Sequence, residues 1–165
     1  MIGRCPLAVL LFLTTACGSA DLPPRYQDLH RVFNETKPHL IAIERELEKD
    51  DLWQLVPHYV SGTFNQPHVP ELTSSQIAKY RDILQLVPYV SYVDKTDGRT
   101  DFSLGSVTTD RWNFSFQFIH TTRRARPANC DEVSIGGESG VCSSDLGDDW
   151  ALWVSWFEPS DEVGE

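Results

Sequence analysis

The sequence predicts an α+β domain of two layers, with N-terminal helices packed on a four-stranded antiparallel meander. Three observations carry that expectation. Apolar residues recur at helical spacing through the first half of the chain. The period changes to two after Pro88. A run near residue 115 then sets four aromatic side chains on one face.

The first helical stretch places Tyr26, Leu29, Val32, Phe33, Leu40, Ile41, Ile43 and Leu47 along one stripe. Pro38 interrupts it by removing an amide donor and crowding the turn before it. Either the helix kinks there, or Thr36 caps a second helix with Pro38 in its first turn. Asp50-Asp51 closes the segment, and Gly62–Leu72 (GTFNQPHVPEL) reads as a surface loop. Thr73-Ser-Ser-Gln76 is a capping box, in which hydroxyl and amide side chains satisfy each other's orphan backbone amides. Ile77, Tyr80, Leu84 and Val87 continue this helix until Pro88. Asp51-Leu-Trp-Gln-Leu-Val-Pro57 and Asp82-Ile-Leu-Gln-Leu-Val-Pro88 echo one another, too short a match to define a repeat protein.

Tyr89–Lys95 and Thr100–Val107 flank Asp97-Gly98, a hairpin signal because the tightest turns need positive φ. Trp112–Phe118 alternates Trp112, Phe114, Phe116 and Phe118 against Asn113, Ser115 and Gln117. Trp150–Phe157 is the fourth strand, with Trp150, Leu152, Val154 and Trp156 inward. Between the last two strands, Gly136–Leu146 reads as a glycine-rich surface loop. Its Cys142–Leu146 portion (CSSDL) is also what the sequencing-adapter end TGCTCTTCCGATCT encodes in one frame, so the stretch has a second possible origin in library preparation.

The N-terminus reads as an address. Arg4 precedes the short apolar run Pro6–Leu13, which is far below the roughly 18–20 residues of a membrane span. Thr14-Thr15-Ala16-Cys17 resembles a bacterial lipobox, with Leu13 one step before the usual aliphatic place. The resemblance covers about the first 20 residues. It implies cleavage before Cys17, lipidation of that cysteine, and anchoring in the bacterial envelope; Gly18 after it favours the outer membrane, facing the periplasm. The expected division is a signal peptide over 1–16, a lipidated terminus and tether over 17–24, one α+β domain over 25–158, and an acidic tail over 159–165.

A chain of 165 residues has room for one domain with appendages. With 14 basic against 24 acidic residues, its net charge of −10 argues against nucleic acid as a partner. The asymmetry is sharper than the total: from residue 127 onward there are acidic side chains but no Lys or Arg. Such an end is either a solvated acidic surface or a landing place for a basic protein partner.

No motif for catalysis, metal or cofactor emerges. His30, His39, His58, His68 and His120 show no metal-ligand spacing. Gly136-Gly-Glu-Ser-Gly140 is no nucleophile elbow, and Asp145, Asp148 and Asp149 lack the alternation of a calcium loop. Asn34 and Asn113 begin glycan acceptor triplets, which matter only in a eukaryotic host. With Cys5 in the signal and Cys17 lipidated, Cys130 and Cys142 remain as a pair that could form a disulfide in an oxidising envelope. The most function-like surface is the outer sheet face, where Trp153 and Phe157 should lie beside Asn113, Ser115 and Gln117. The expectation is a non-enzymatic envelope lipoprotein that binds another protein, of the immunity or inhibitor kind or the outer-membrane assembly kind. An envelope hydrolase and a small-ligand carrier are the alternatives.

Overall fold

The computed structural model describes residues 25–52, 54–55, 72–96, 98–122 and 126–159. The signal segment, Cys17 and tether, nearly all of the 62–72 loop, Arg123–Ala125 and the end of the acidic tail lie outside these residues. In chain order the elements are α1 (Arg25–Lys49), β1 (Gln54–Leu55), α2 (Ser74–Gln85), β2 (Tyr92–Thr96), β3 (Arg99–Thr108), β4 (Asn113–Thr121), β5 (Ser139–Gly147) and β6 (Trp150–Phe157).

The class is α+β, but the sheet has six strands, not four, in the order β1-β2-β3-β4-β6-β5, and every pairing is antiparallel. The four expected strands are its contiguous centre. The two extra strands are both edges. β1 is only two residues long, too short to show a period. β5 replaces the expected loop over Gly136–Leu146. It pairs with β6 from Ser139 to Gly147, and the chain then returns through Asp148 and Asp149 to insert β6 beside β4. Both turn residues have positive φ (50° and 65°), which aspartate tolerates better than most residues.

Helix α1 runs unbroken through Pro38, so the stretch is one helix and not two. Thr36 does not cap a second helix; its hydroxyl donates to the Val32 carbonyl at 2.6 Å. The buried stripe of α1 comprises Tyr26, Leu29, Phe33, Leu40, Ile43 and Leu47. It lies on the inner sheet face built by Phe102, Phe114, Phe116, Phe118, Trp150, Leu152, Val154 and Trp156. Phe33 is the central contact, with ring centroids 5.1 Å from Phe118 and 5.3 Å from Trp150.

Helix α2 starts at the expected capping box. The Thr73 hydroxyl accepts from the Gln76 amide at 3.2 Å, and the Thr73 amide donates to Gln76 Oε1 at 2.9 Å. α2 is tied to α1 by Lys79, which pairs with Glu46 and with Asp50 (3.0 Å), and by the Tyr80 hydroxyl, which donates to Asp50 at 2.9 Å. Burial pushes the Asp50 carboxyl up, but bonds from Lys79, Tyr80 and Gln76 outweigh it and hold Asp50 below the ordinary carboxylate range. The Glu46 bond, outweighing burial and helped by Asp50, raises Lys79. The two halves of the 51–57 and 82–88 echo take different conformations: Gln54-Leu55 is strand, while Gln85 ends a helix.

Gly98 (φ 69°) sits in the β2–β3 turn, between the Thr96–Arg99 pair. Gly105 (φ 82°) makes the bulge between Ser103 and Ser106. That extra residue lets β3 continue along β4 to the Thr108–Asn113 pair.

Candidate functional site

The alternation of β4 and β6 fixes what the outer sheet face presents. Asn113 stands opposite Phe157, Ser115 opposite Ser155, and Gln117 opposite Trp153. The five residues singled out from the sequence therefore share one face, in three adjacent rows. They are not equally open. Trp153 is partly buried, because the Arg99 guanidinium lies over its ring at 4.5 Å. Arg99 is itself held by Asp101 through bonds of 2.6 and 2.7 Å. Ile119 and its neighbour Ala151, which share the outer face with Asp101, are fully buried. The Trp153 indole N–H is buried without a partner among the described residues.

The other end of the face is open. Phe157 is 47% exposed and Val141, on β5, is 43% exposed. Val141 pairs with Ser155 and Phe157 with Ser139, so the two apolar side chains are diagonal neighbours across the β5–β6 ladder. Val141 was hidden from sequence reasoning by the loop assignment. At this same end the Glu158 amide donates to the Glu138 carbonyl at 3.0 Å, which puts two exposed acidic residues beside Phe157.

The free edge of β5 is partly covered by the segment before it. Ser143 bonds to Ala128 and Cys130 through its backbone and donates its hydroxyl to the Pro127 carbonyl at 3.1 Å. Cys130 and Cys142, both buried, are joined by a disulfide with Cα atoms 4.8 Å apart. Asp145 is held below the ordinary carboxylate range by the Gly147 amide first and Arg126 second.

A second feature lies where α1 crosses the turn end of the sheet. A cleft of about 570 Å³ is lined by residues of α1, the β2–β3 turn, the end of β4 and the β5–β6 turn. On its wall Glu44 accepts from His120 Nδ1 at 2.8 and 3.0 Å and from the buried Thr100 hydroxyl at 2.6 Å. The His120 ring is stacked on Trp150, with centroids 4.7 Å apart and planes 11° apart. Across the cleft, Lys37 pairs with Asp148 at 2.8 Å and so depresses the Asp148 carboxyl. Sequence reasoning missed the Glu44–His120 pair; its members are 76 residues apart and share no local pattern.

The other described histidines are differently placed. His30 meets the Ser144 hydroxyl at 3.2 Å and lies edge-on to Tyr26, whose hydroxyl is pushed up by burial. His39 lies on α1, and His58 and His68 are outside the described residues. Among the described residues no three His, Cys, Asp or Glu side chains converge as a metal site would require. No described helix is long and apolar enough to cross a membrane. No protein-family model matches the chain, and neither a curated protein nor a solved structure matches it.

Proposed function

We propose that this protein is a bacterial envelope lipoprotein, anchored through Cys17 in the outer membrane and facing the periplasm, whose α+β domain is a non-enzymatic module that binds another protein. The anchoring half rests on the lipobox-like Thr14-Thr15-Ala16-Cys17. Several acyl chains on one cysteine hold firmly, since each buried CH₂ contributes about 0.8 kcal/mol.

One observation carries the binding half. Two of the three large apolar side chains exposed among the described residues, Val141 and Phe157, lie side by side on one sheet face. An aromatic anchor among small polar residues is the make-up of an interface centre. Glu138 and Glu158 beside it suit a partner with cationic groups around an apolar contact.

The direct test is Val141→Lys with Phe157→Lys, a pair of substitutions at exposed positions that leaves the core intact. Proteins captured from envelopes by the wild type should be lost with this variant. An immunity or inhibitor role predicts a basic enzyme whose capture weakens with salt, whereas an assembly role predicts membrane proteins held independently of salt. Unchanged capture by the variant would refute the assignment of this face.

A further inference from the structure

The His120 cleft carries an inference independent of the protein-binding face. His120 Nδ1 is fully engaged by Glu44, Glu44 is braced by Thr100, and the ring is fixed flat on Trp150. These contacts set the tilt of the imidazole and leave Nε2 without a partner among the described residues. A ring held this way can offer the same nitrogen repeatedly to a ligand, with little ordering left to do on binding.

The charges around the cleft sort into pairs and a remainder. Lys37 is taken by Asp148, Arg99 by Asp101, and Glu44 by His120. Arg45 and Lys95 line the cleft with no acceptor among the described residues, against one unpaired carboxylate, Glu48. Together with Asp101, the described charges of the cleft cancel when His120 is neutral and leave one net positive charge when it is protonated, on a chain whose net charge is −10. Its volume is within the range of small-molecule sites.

We infer that this cleft binds a small oxyanion, a ligand with a phosphate or carboxylate group, with Nε2 of His120 as the contact at its wall and Arg45 and Lys95 as the charges that hold it. Arginine and lysine supply donors and charge to such a group, and an imidazolium Nε2–H adds a directed bond.

The test is imidazole nitrogen NMR on the folded chain, titrated at fixed pH and ionic strength with inorganic phosphate, with succinate, and with chloride as the control. In the oxyanion-bound state the His120 ring should carry protons on both Nδ1 and Nε2. Its Nε2 signal should move to saturation in the millimolar range with phosphate or succinate, and whichever titrates more tightly identifies the head group. Arg45→Ala with Lys95→Ala should weaken that binding about tenfold, while leaving the thermal midpoint unchanged. No saturable shift with either oxyanion, or an equal shift with chloride or in the double variant, would overturn the inference.

Discussion

Replacing Phe33 by Ala tests the packing on which the two-layer architecture depends. The side chain is 1% exposed and its ring meets both Phe118 (5.1 Å) and Trp150 (5.3 Å), one from each of two neighbouring strands. Truncation removes the transfer free energy of the ring and leaves a cavity between helix and sheet, which together cost about 3–5 kcal/mol for a buried Phe. Phe33→Leu keeps most of the volume and loses mainly two ring contacts at about 0.5–1.5 kcal/mol each, so it should cost about half as much. Trp150 lies close enough for its fluorescence to report the loss. In urea, with a slope of about 2 kcal/mol per molar, the Ala variant should unfold about 2 M earlier than wild type and the Leu variant about 1 M earlier. The slope itself should not change. A loss below about 1 kcal/mol for Phe33→Ala, or a Leu variant as unstable as the Ala variant, would show that α1 does not rest on this sheet face.

Three further outcomes follow from the same geometry. Because Asp50 is held below its unfolded value, its contribution is present above about pH 4 and is lost as pH falls through the folded value. Lys79, held above its own, contributes below about pH 10.4 and loses it as pH rises through the folded value. Lys79→Ala should therefore flatten both limbs of the stability–pH curve, by about 1 kcal/mol each; unchanged limbs would contradict the network. Asp149→Gly relieves a positive φ of 65° and should raise stability by about 0.5–1 kcal/mol in thermal melts, and a lowered midpoint would contradict the turn. Reducing the Cys130–Cys142 disulfide opens a loop of sequence separation 12 and should cost about 3 kcal/mol, measured as a shift in urea midpoint with and without reductant. An unmoved midpoint would mean the bridge does not constrain the chain.

The parts of the fold legible in the sequence are those specified locally. Thr73 and Gln76 announce the start of α2 because capping uses neighbours three residues apart. Gly98 marks the β2–β3 turn because its positive φ restricts residue choice, while Asp97, the other half of the signal, lies outside the described residues. The Trp112–Phe118 alternation fixes which side of β4 faces the core. What was missed is held by distant partners. β5 has no apolar alternation to betray it; it exists through its ladder to β6, the bond from His30 to Ser144 and the link from Cys142 to Cys130. Gly140 shows the same dependence, since an added Cβ would lie 2.2 Å from the Trp156 ring. Pro38 looks like a breakpoint locally, yet Phe33 before it and Leu40 and Ile43 after it are buried in the same core, and that burial carries the helix through. On the outer face the five candidate residues followed from alternation alone. That Arg99 would cover Trp153 was half visible: Arg99 and Asp101, two apart on a strand, must share a face. The Glu44–His120 pair joins a helix to a strand across 76 residues and could be found only from the fold.

The claim that most of the functional account rests on is the lipid anchor, and the intact mass of the native protein from the membrane fraction tests it most directly. The account predicts the chain from Cys17 to Glu165 plus acyl groups, with every residue of Gly136–Leu146 present. An unmodified chain from the soluble fraction would contradict the lipoprotein reading. A deficit equal to the Gly136–Leu146 stretch would remove β5, and with it Val141 and the disulfide, from the native molecule.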